Sequence, residues 1–423
     1  MEWNKTIRYC KGFYKIEREN RVIAANILFG NNVKLSKECF ELIDDCIEKK
    51  VKVDEYFAEY SFEDREYIYK LIELLMARQI IADGNSLEEW EKKKTVSLKI
   101  TNRCNLRCVH CSVDCRPDSD KEELSTSEWK QVIDKLDNKY IAGIVFTGGE
   151  AMFRNDFFEL AEYAKEKVDV RMTLMTNGTL ITENNADKLM ELFDDFSFSI
   201  DGADEESCGK VRGKGVFDKI MRGINLLRQR GMVDYSVSFT ELKINSDKKE
   251  KFIELAKNIG AEPMIRRFET YGRGADNKEL LEIPDDSRFS PYKIFNEELL
   301  EMKSIPPHLM PSCINCDAIQ NKYAICENGN IYPCLVLELD ELCLGNVKDI
   351  ESLNDFFENG KVYETEGYKY FKELHPCTSS QCNACPAKLH CTQCVRDVYL
   401  LRQRADKKEI CDNYAKVIKK VWD

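Results

Sequence analysis

Only four histidines occur among 423 residues, so no acid–base catalyst is read from histidine alone. No stretch approaches the roughly eighteen apolar residues that a membrane-spanning helix needs. The opening residues, MEWNKTIRYCKGFYKIEREN, lack the apolar core of a signal peptide. The expectation is a cytoplasmic protein with no membrane partner. A basic surplus is missing too. The formal net charge is −12, which argues against broad nucleic-acid binding, because such binding rests on Lys and Arg meeting phosphates. No long repeat or low-complexity tract interrupts the chain. Cysteine, in contrast, is abundant: there are 19. A secreted disulfide scaffold would be shorter and would carry a signal, so metal ligation explains the number better. Cys104, Cys108, Cys111 and Cys115 form one group, and a second runs from Cys313 to Cys411. Cys10, Cys39, Cys46 and Cys208 stand apart and read as packing residues.

The length exceeds one ordinary core. Residues 1–88 read as a small α+β unit. Phe13 to Ile16 and Val22 to Phe29 are candidate strands, with Gly30-Asn31-Asn32 as a turn signal. Ser36 caps a candidate helix that aligns Cys39, Phe40, Ile43, Cys46 and Ile47 on one face. A second helix carries Ile68, Leu71, Ile72 and Leu75, and Ile80-Ile81 makes a closing strand. Residues 96–275 alternate strands and helices. The candidate strands are Val96–Thr101, Gly143–Thr147, Arg171–Thr176, Phe196–Asp201, Tyr235–Thr240 and Pro263–Phe268. Ser125 and Glu128 form a capping-box pair at the start of the first helix. Six βα units in order imply a parallel sheet with right-handed crossovers. The expected class is α/β, a partial (β/α)6 TIM barrel, with ligands at the carboxyl ends of its strands. Residues 276–310 read as a connector containing Ile305-Pro306-Pro307, and 311–423 as a cysteine-rich C-terminal domain with a hairpin at Ile325 to Tyr332.

Cys104-Asn-Leu-Arg-Cys108-Val-His-Cys111 follows directly on the first barrel strand. Three thiolates on one tight loop suit three irons of a [4Fe–4S] cubane and leave the fourth iron without a protein ligand. An open metal position is what a substrate needs to coordinate. A zinc knuckle is the competing reading, but zinc usually takes four ligands. Thr147-Gly148-Gly149-Glu150 ends the second strand, Thr176-Asn177-Gly178-Thr179 the third and Ser199-Ile200-Asp201-Gly202 the fourth, with Arg212-Gly213 beyond. On these residues the sequence resembles the radical S-adenosylmethionine (SAM) superfamily, with Ala151 where the family usually has Pro. The resemblance implies that Cys104, Cys108 and Cys111 hold the cluster and that reductive cleavage of SAM yields a 5′-deoxyadenosyl radical. It also implies SAM contacts. Gly148 and Gly149 would let the backbone approach, Glu150 would accept from the ammonium, Ser199 and Asp201 would lie near the ribose or carboxylate, and Asn177 would be a further contact. Arg212 would pair with the carboxylate, and His110 would pack on SAM.

The second cysteine group runs Cys313-x2-Cys316, Gly329-x4-Cys334, Cys382-x2-Cys385-x5-Cys391-x2-Cys394 and Cys411. It resembles the SPASM domain, which carries two auxiliary [4Fe–4S] clusters, making three in all. The gap from Cys391 to Cys394 is one residue shorter than the family pattern. Carried over by position, Cys316, Cys334 and Cys394 would hold the first auxiliary cluster. Cys115 is its candidate fourth ligand, with Cys313, Cys326 or a vacant site for a substrate thiolate as alternatives. Cys382, Cys385, Cys391 and Cys411 would hold the second; Cys343 and Cys377 have no assigned role. Residues 1–88 resemble the winged-helix-like peptide recognition element of radical SAM maturases, which binds a leader peptide by β-augmentation. The implied function is modification of a ribosomally made precursor peptide with leader and core. An intramolecular crosslink is expected, a thioether ahead of a carbon–carbon bond, with an electron donor such as flavodoxin or ferredoxin. An anaerobic sulfatase maturase and a non-enzymatic iron–sulfur carrier are the alternatives.

Overall fold

The computed structural model describes residues 3–27, 29–84, 93–283, 316–391 and 394–422. The chain divides into two compact units. One comprises 1–92, 287–317 and 370–423, the other 93–286 and 318–369. Ile305-Pro306-Pro307 and Cys313 lie outside the described residues. No helix among the described residues is long and apolar enough to cross a membrane.

In the first unit, β1 (Ile7–Tyr9) pairs antiparallel with β5 (Ile81–Asp83). Strands β2 (Phe13–Arg18), β3 (Arg21–Asn26) and β4 (Asn31–Ser36) form an antiparallel meander. The expected second strand through Phe29 stops at Asn26, which pairs with Asn31. The turn therefore closes at Gly30, whose φ of 70 suits glycine, and the asparagines open a further strand. That strand forms because Val33 and Leu35, two residues apart, both reach the core. Ser36 then caps α1 (Lys37–Lys49), its side chain accepting from the Cys39 N–H. Strand β3 is buried on both faces. Val22 and Ala24 pack with Phe40, Ile43 of α1 and with Ile68, Ile72 and Leu75 of the later helix Phe62–Ala77. Ile23 and Ala25 face the other way, into Ala387, Leu389, Tyr414 and Ile418. The C-terminal segment thus lies against the N-terminal sheet within one unit.

The second unit holds a nine-stranded sheet. Six parallel strands run in chain order: β6 (Lys94–Lys99), β7 (Ile141–Thr147), β8 (Arg171–Thr176), β9 (Asp195–Ser199), β10 (Tyr235–Glu241) and β11 (Glu262–Arg267). The alternation of side chains decides their two faces. Phe146, Leu174, Phe196, Phe198, Val237 and Phe239 are buried, while Ser97, Thr173, Ser197 and Ser236 are half-buried. Ser236 and Ser197 share a hydrogen bond of 3.0 Å across that polar face. The capping box at α2 (Thr126–Asp134) is present, with Ser125 and Glu128 reciprocally bonded. The sheet extends beyond six strands. β12 (Lys322–Ile325) adds in parallel to β6, and β13 (Asn330–Tyr332) folds back on it as the expected hairpin, followed by β14 (Gly345–Asn346). Gly329 has φ 88, and a Cβ there would lie 2.9 Å from Val347.

Candidate active site

The loop after β6 carries Cys104, Cys108 and Cys111, and their sulfurs are near enough for each charge to act on Cys104. Burial pushes the Cys104 thiol up to about 12. Cys111 is brought down to about 5, chiefly by the Cys115 thiol hydrogen-bonded to it, against the opposing effect of burial. The Cys115 backbone N–H also donates to Cys111 Sγ at 3.4 Å. Cys115 is 2 % exposed, so this candidate auxiliary ligand sits against the first cysteine group.

The loop is clamped from several directions. Val109 N–H donates to the Val211 carbonyl, on α3 (Glu205–Arg212), at 3.0 Å. Arg273, on α4 (Gly272–Asp276), donates to the Cys108 carbonyl at 2.9 Å and the Cys115 carbonyl at 2.7 Å. It also pairs with Asp114 at 2.7 Å. Asn277 reaches the Val109 carbonyl at 3.0 Å. Glu123 accepts from Thr101 Oγ1 at 2.7 Å and the Asn102 N–H at 2.8 Å. Arg273, Asn277 and Glu123 carry no motif that sequence reading could find.

The motif residues at the strand ends converge on this loop. A Cβ on Gly148 would lie 2.7 Å from the Thr101 carbonyl oxygen, and one on Gly149 would lie 2.8 Å from Cys115 Sγ. The close approach these glycines visibly permit is therefore to the cysteine loop's own backbone, joined by Gly149 N–H to Thr101 O at 2.9 Å. Glu150 is 1 % exposed. It accepts from the Asn177 N–H at 2.7 Å and from Thr176 Oγ1 at 2.8 Å. Burial nevertheless pushes its carboxyl above the usual range. Asn177 links the third strand end to the loop, donating to Asn105 Oδ1 at 3.0 Å and reaching Cys104 Sγ at 3.9 Å. Ser199 stands in register with Ser238 at the end of β9.

Asp201 is fully buried and left-handed, with φ 56, a conformation that Asp tolerates better than most residues. Its carboxylate pairs with Arg212 at 2.5 Å and with His110 Nε2 at 3.1 Å. It also accepts the Thr240 N–H at 2.5 Å. Although burial opposes ionisation, the charges of Arg212 and His110 hold it well below the usual carboxylate range. The carboxylate that Arg212 meets here is thus Asp201. Arg212 also reaches Cys108 Sγ at 3.9 Å, which ties the pair to the cysteine loop. His110 Nδ1 and Arg212 Nε are buried without hydrogen-bond partners. Buried donors and acceptors are rarely left so, and their orphaned state fits a polar ligand at this place.

Within the first unit, Cys382, Cys385, Cys391 and Cys411 lie near one another. Burial pushes Cys391 up, and the charges of Cys385, Cys411 and Cys382 act on it. Cys411 feels Cys385 and Cys382 in turn. Cys394 is raised to about 11, first by burial, with Cys316 and Asp397 adding to it. Cys115 and Cys334 belong to the second unit. Cys326 is buried there beside Lys99, Glu327 and Glu338. Lys99 pairs with Glu327 at 3.0 Å and Glu338 at 2.8 Å.

A parallel strand-end site with three thiols on its first loop defines an iron–sulfur enzyme of the barrel class, and the chain belongs to the radical SAM superfamily. The model of that superfamily matches residues 98–259. The mycofactocin maturase MftC of Mycobacterium tuberculosis is 30% identical over 300 residues, which is 68% of this chain and 74% of that protein. The Fe-coproporphyrin III synthase of Methanosarcina barkeri is 41% identical over 157 residues, 37% of this chain and 39% of that one. The structure of Streptococcus suis SuiB bound to precursor peptide SuiA matches with TM-score 0.54 at 13% identity, covering 96% of this chain and 100% of that chain. This last likeness concerns the fold. Family membership makes the chain an enzyme that uses a [4Fe–4S] cluster and SAM, and the three loop thiols with their orphaned polar neighbours fit those groups.

Proposed function

We propose that this chain is a radical SAM maturase of a ribosomally made precursor peptide. Its similarity to mycofactocin maturase over 300 residues carries the reading, because that match extends well beyond the barrel. The higher identity to a porphyrin-modifying enzyme covers only 157 residues, a stretch too short to speak for the substrate. With cluster and SAM bound, reductive cleavage of the sulfonium supplies a 5′-deoxyadenosyl radical for hydrogen abstraction. The chain's own residues prepare the site. Cys104, Cys108 and Cys111 ligate, and Arg273 and Asn277 hold their loop in shape. Asp201 fixes Arg212 and His110 for the SAM side of the pocket. Gly148, Gly149, Glu150, Asn177 and Ser199 complete that side.

Residues 1–88 serve as the leader-binding element. The outer edges of β2 and β4 offer strand backbone for β-augmentation. Residues 311–423 act as the SPASM region. Cys382, Cys385, Cys391 and Cys411 hold one auxiliary cluster; Cys316, Cys334 and Cys394 hold the other, with Cys115 as the candidate fourth ligand. A flavodoxin or ferredoxin delivers electrons in the reducing cytoplasm, where thiolates persist. The product is a crosslink, with a thioether preferred over a carbon–carbon bond. Co-expression with short open reading frames adjacent to the gene tests this. A peptide lighter by a pair of hydrogens supports the reading, and its fragmentation distinguishes the bond types. Unmodified peptides beside active SAM cleavage would remove the peptide assignment.

A further inference from the structure

The strand ends of the second unit carry several inward or buried cations, and most have a carboxylate. Lys99 has Glu327 and Glu338. Arg154 has Asp156. Arg212 has Asp201. Arg266, near the end of β11, differs: its guanidinium has no hydrogen bond or ion pair among the described residues, and its Nε is buried without an acceptor. It stands in register with Thr240, whose N–H occupies Asp201 Oδ1. Arg266 feels both the Asp201 carboxylate and the Arg212 guanidinium. The other oxygen of Asp201 already faces Arg212 and His110. Both oxygens of Asp201 are therefore engaged, and a second guanidinium remains beside them. Arginine does not shed its proton near neutrality. An arginine at a strand end would ordinarily carry its head into water, yet here the Nε is enclosed. The residues before it, Met264 and Ile265, are 39% and 38% exposed. Because β11 is the last strand of its sheet, its outer edge has no strand neighbour among the described residues. A cation beside exposed Met264, which shares its face of a strand with an open edge, matches an extended ligand that bears a carboxylate.

We infer that Arg266 is a specificity residue that binds a carboxylate of the substrate peptide at the mouth of the barrel. The inference rests on the peptide-maturase reading. The carboxylate is an acidic side chain or the free C-terminus of the core segment, and both make the same bidentate contact with a guanidinium.

Reconstituted full-length protein with SAM is dialysed against pools of capped random hexapeptides. One pool contains a single Glu, a matched pool contains Gln, and a third contains Gln with a free C-terminus. Retained peptides are counted by mass spectrometry. A charge-assisted contact predicts roughly tenfold or greater enrichment of an acid-bearing pool over the capped Gln pool. The pool that is enriched identifies the source. Arg266→Gln abolishes the enrichment and Arg266→Lys keeps part of it. Both variants retain the wild-type half-saturation for SAM in 5′-deoxyadenosine formation, which also reports that they fold. Three outcomes overturn the inference: no acid preference in the wild type, a preference that survives Arg266→Gln, or a raised SAM half-saturation in Arg266→Gln. The last would assign the guanidinium to the carboxylate of SAM. If the acid preference follows Arg266 while no co-expressed peptide is modified, the carboxylate site stands and the maturase reading falls.

Discussion

The thiols after β6 and the thiols near the C-terminus are grouped in two different ways. Cys382, Cys385, Cys391 and Cys411 supply four sulfurs that act electrostatically on one another. The β6 loop supplies Cys104, Cys108 and Cys111, with Arg212 at the end of the helix Glu205–Arg212 and Asn177 at the end of β8 reaching two of the sulfurs. A closed ligand set suits a structural or electron-transfer centre, and an incomplete set ringed by polar groups suits one that binds substrate. Several side chains of the second unit hold the loop of the incomplete set. Arg273, Asn277 and Glu123 touch its loop and are not themselves ligands. Supporting shells of this kind orient metal ligands.

Breaking the incomplete set should have the largest effect. Replacing Cys104, Cys108 and Cys111 with Ala is expected to abolish 5′-deoxyadenosine formation while leaving roughly eight irons per chain, by analogy with two remaining four-iron clusters. Iron analysis and product chromatography check this together. Cys385→Ala should do the reverse, lowering iron by about four per chain and sparing SAM cleavage more than peptide modification. Asp201→Asn leaves Arg212 buried without its counter-charge. It is expected to lower stability by about 3–5 kcal/mol, read by denaturant titration, and to raise the half-saturation for SAM.

The contrast was only partly legible in the sequence. Cysteine spacing on one loop is local, so the thiols could be read directly. Strand β8 matches its expected span, because alternating apolar residues mark a strand facing helices on one side. Strand β4 was hidden by Asn31 and Asn32, which resemble a turn but pair with Asn26 and Ala25. Arg273 and Asn277 were illegible for a different reason. Their importance comes from which carbonyls they reach across a sequence separation of more than 150 residues, and no local pattern encodes that. Asp201 was found as a polar strand-end residue, but its role as the partner of Arg212 and His110 required the fold.

Smaller effects sharpen the comparison. Arg273→Gln removes donors to the Cys108 and Cys115 carbonyls. Losing such charge-assisted bonds should cost about 1.5–3 kcal/mol and speed the loss of iron from the β6 loop in air, with the C-terminal set unaffected. His375 provides the mildest test. Burial lowers its pKa from 6.5 to about 4. Between those values the unfolded chain takes up a proton that the folded chain refuses, so stability is complete above about pH 6.5 and falls as pH drops toward 4. His375→Gln should flatten the melting temperature across that window.

The most direct measurement is electron–nuclear double resonance on the one-electron-reduced holoenzyme with SAM labelled at its amino nitrogen. Direct coordination to the iron that lacks a protein ligand predicts hyperfine coupling of the label to a cluster in the wild type and in Cys385→Ala, and none in the Cys104, Cys108 and Cys111 variant. Coupling that persists without those three thiols, or that never appears in the wild type, would contradict it.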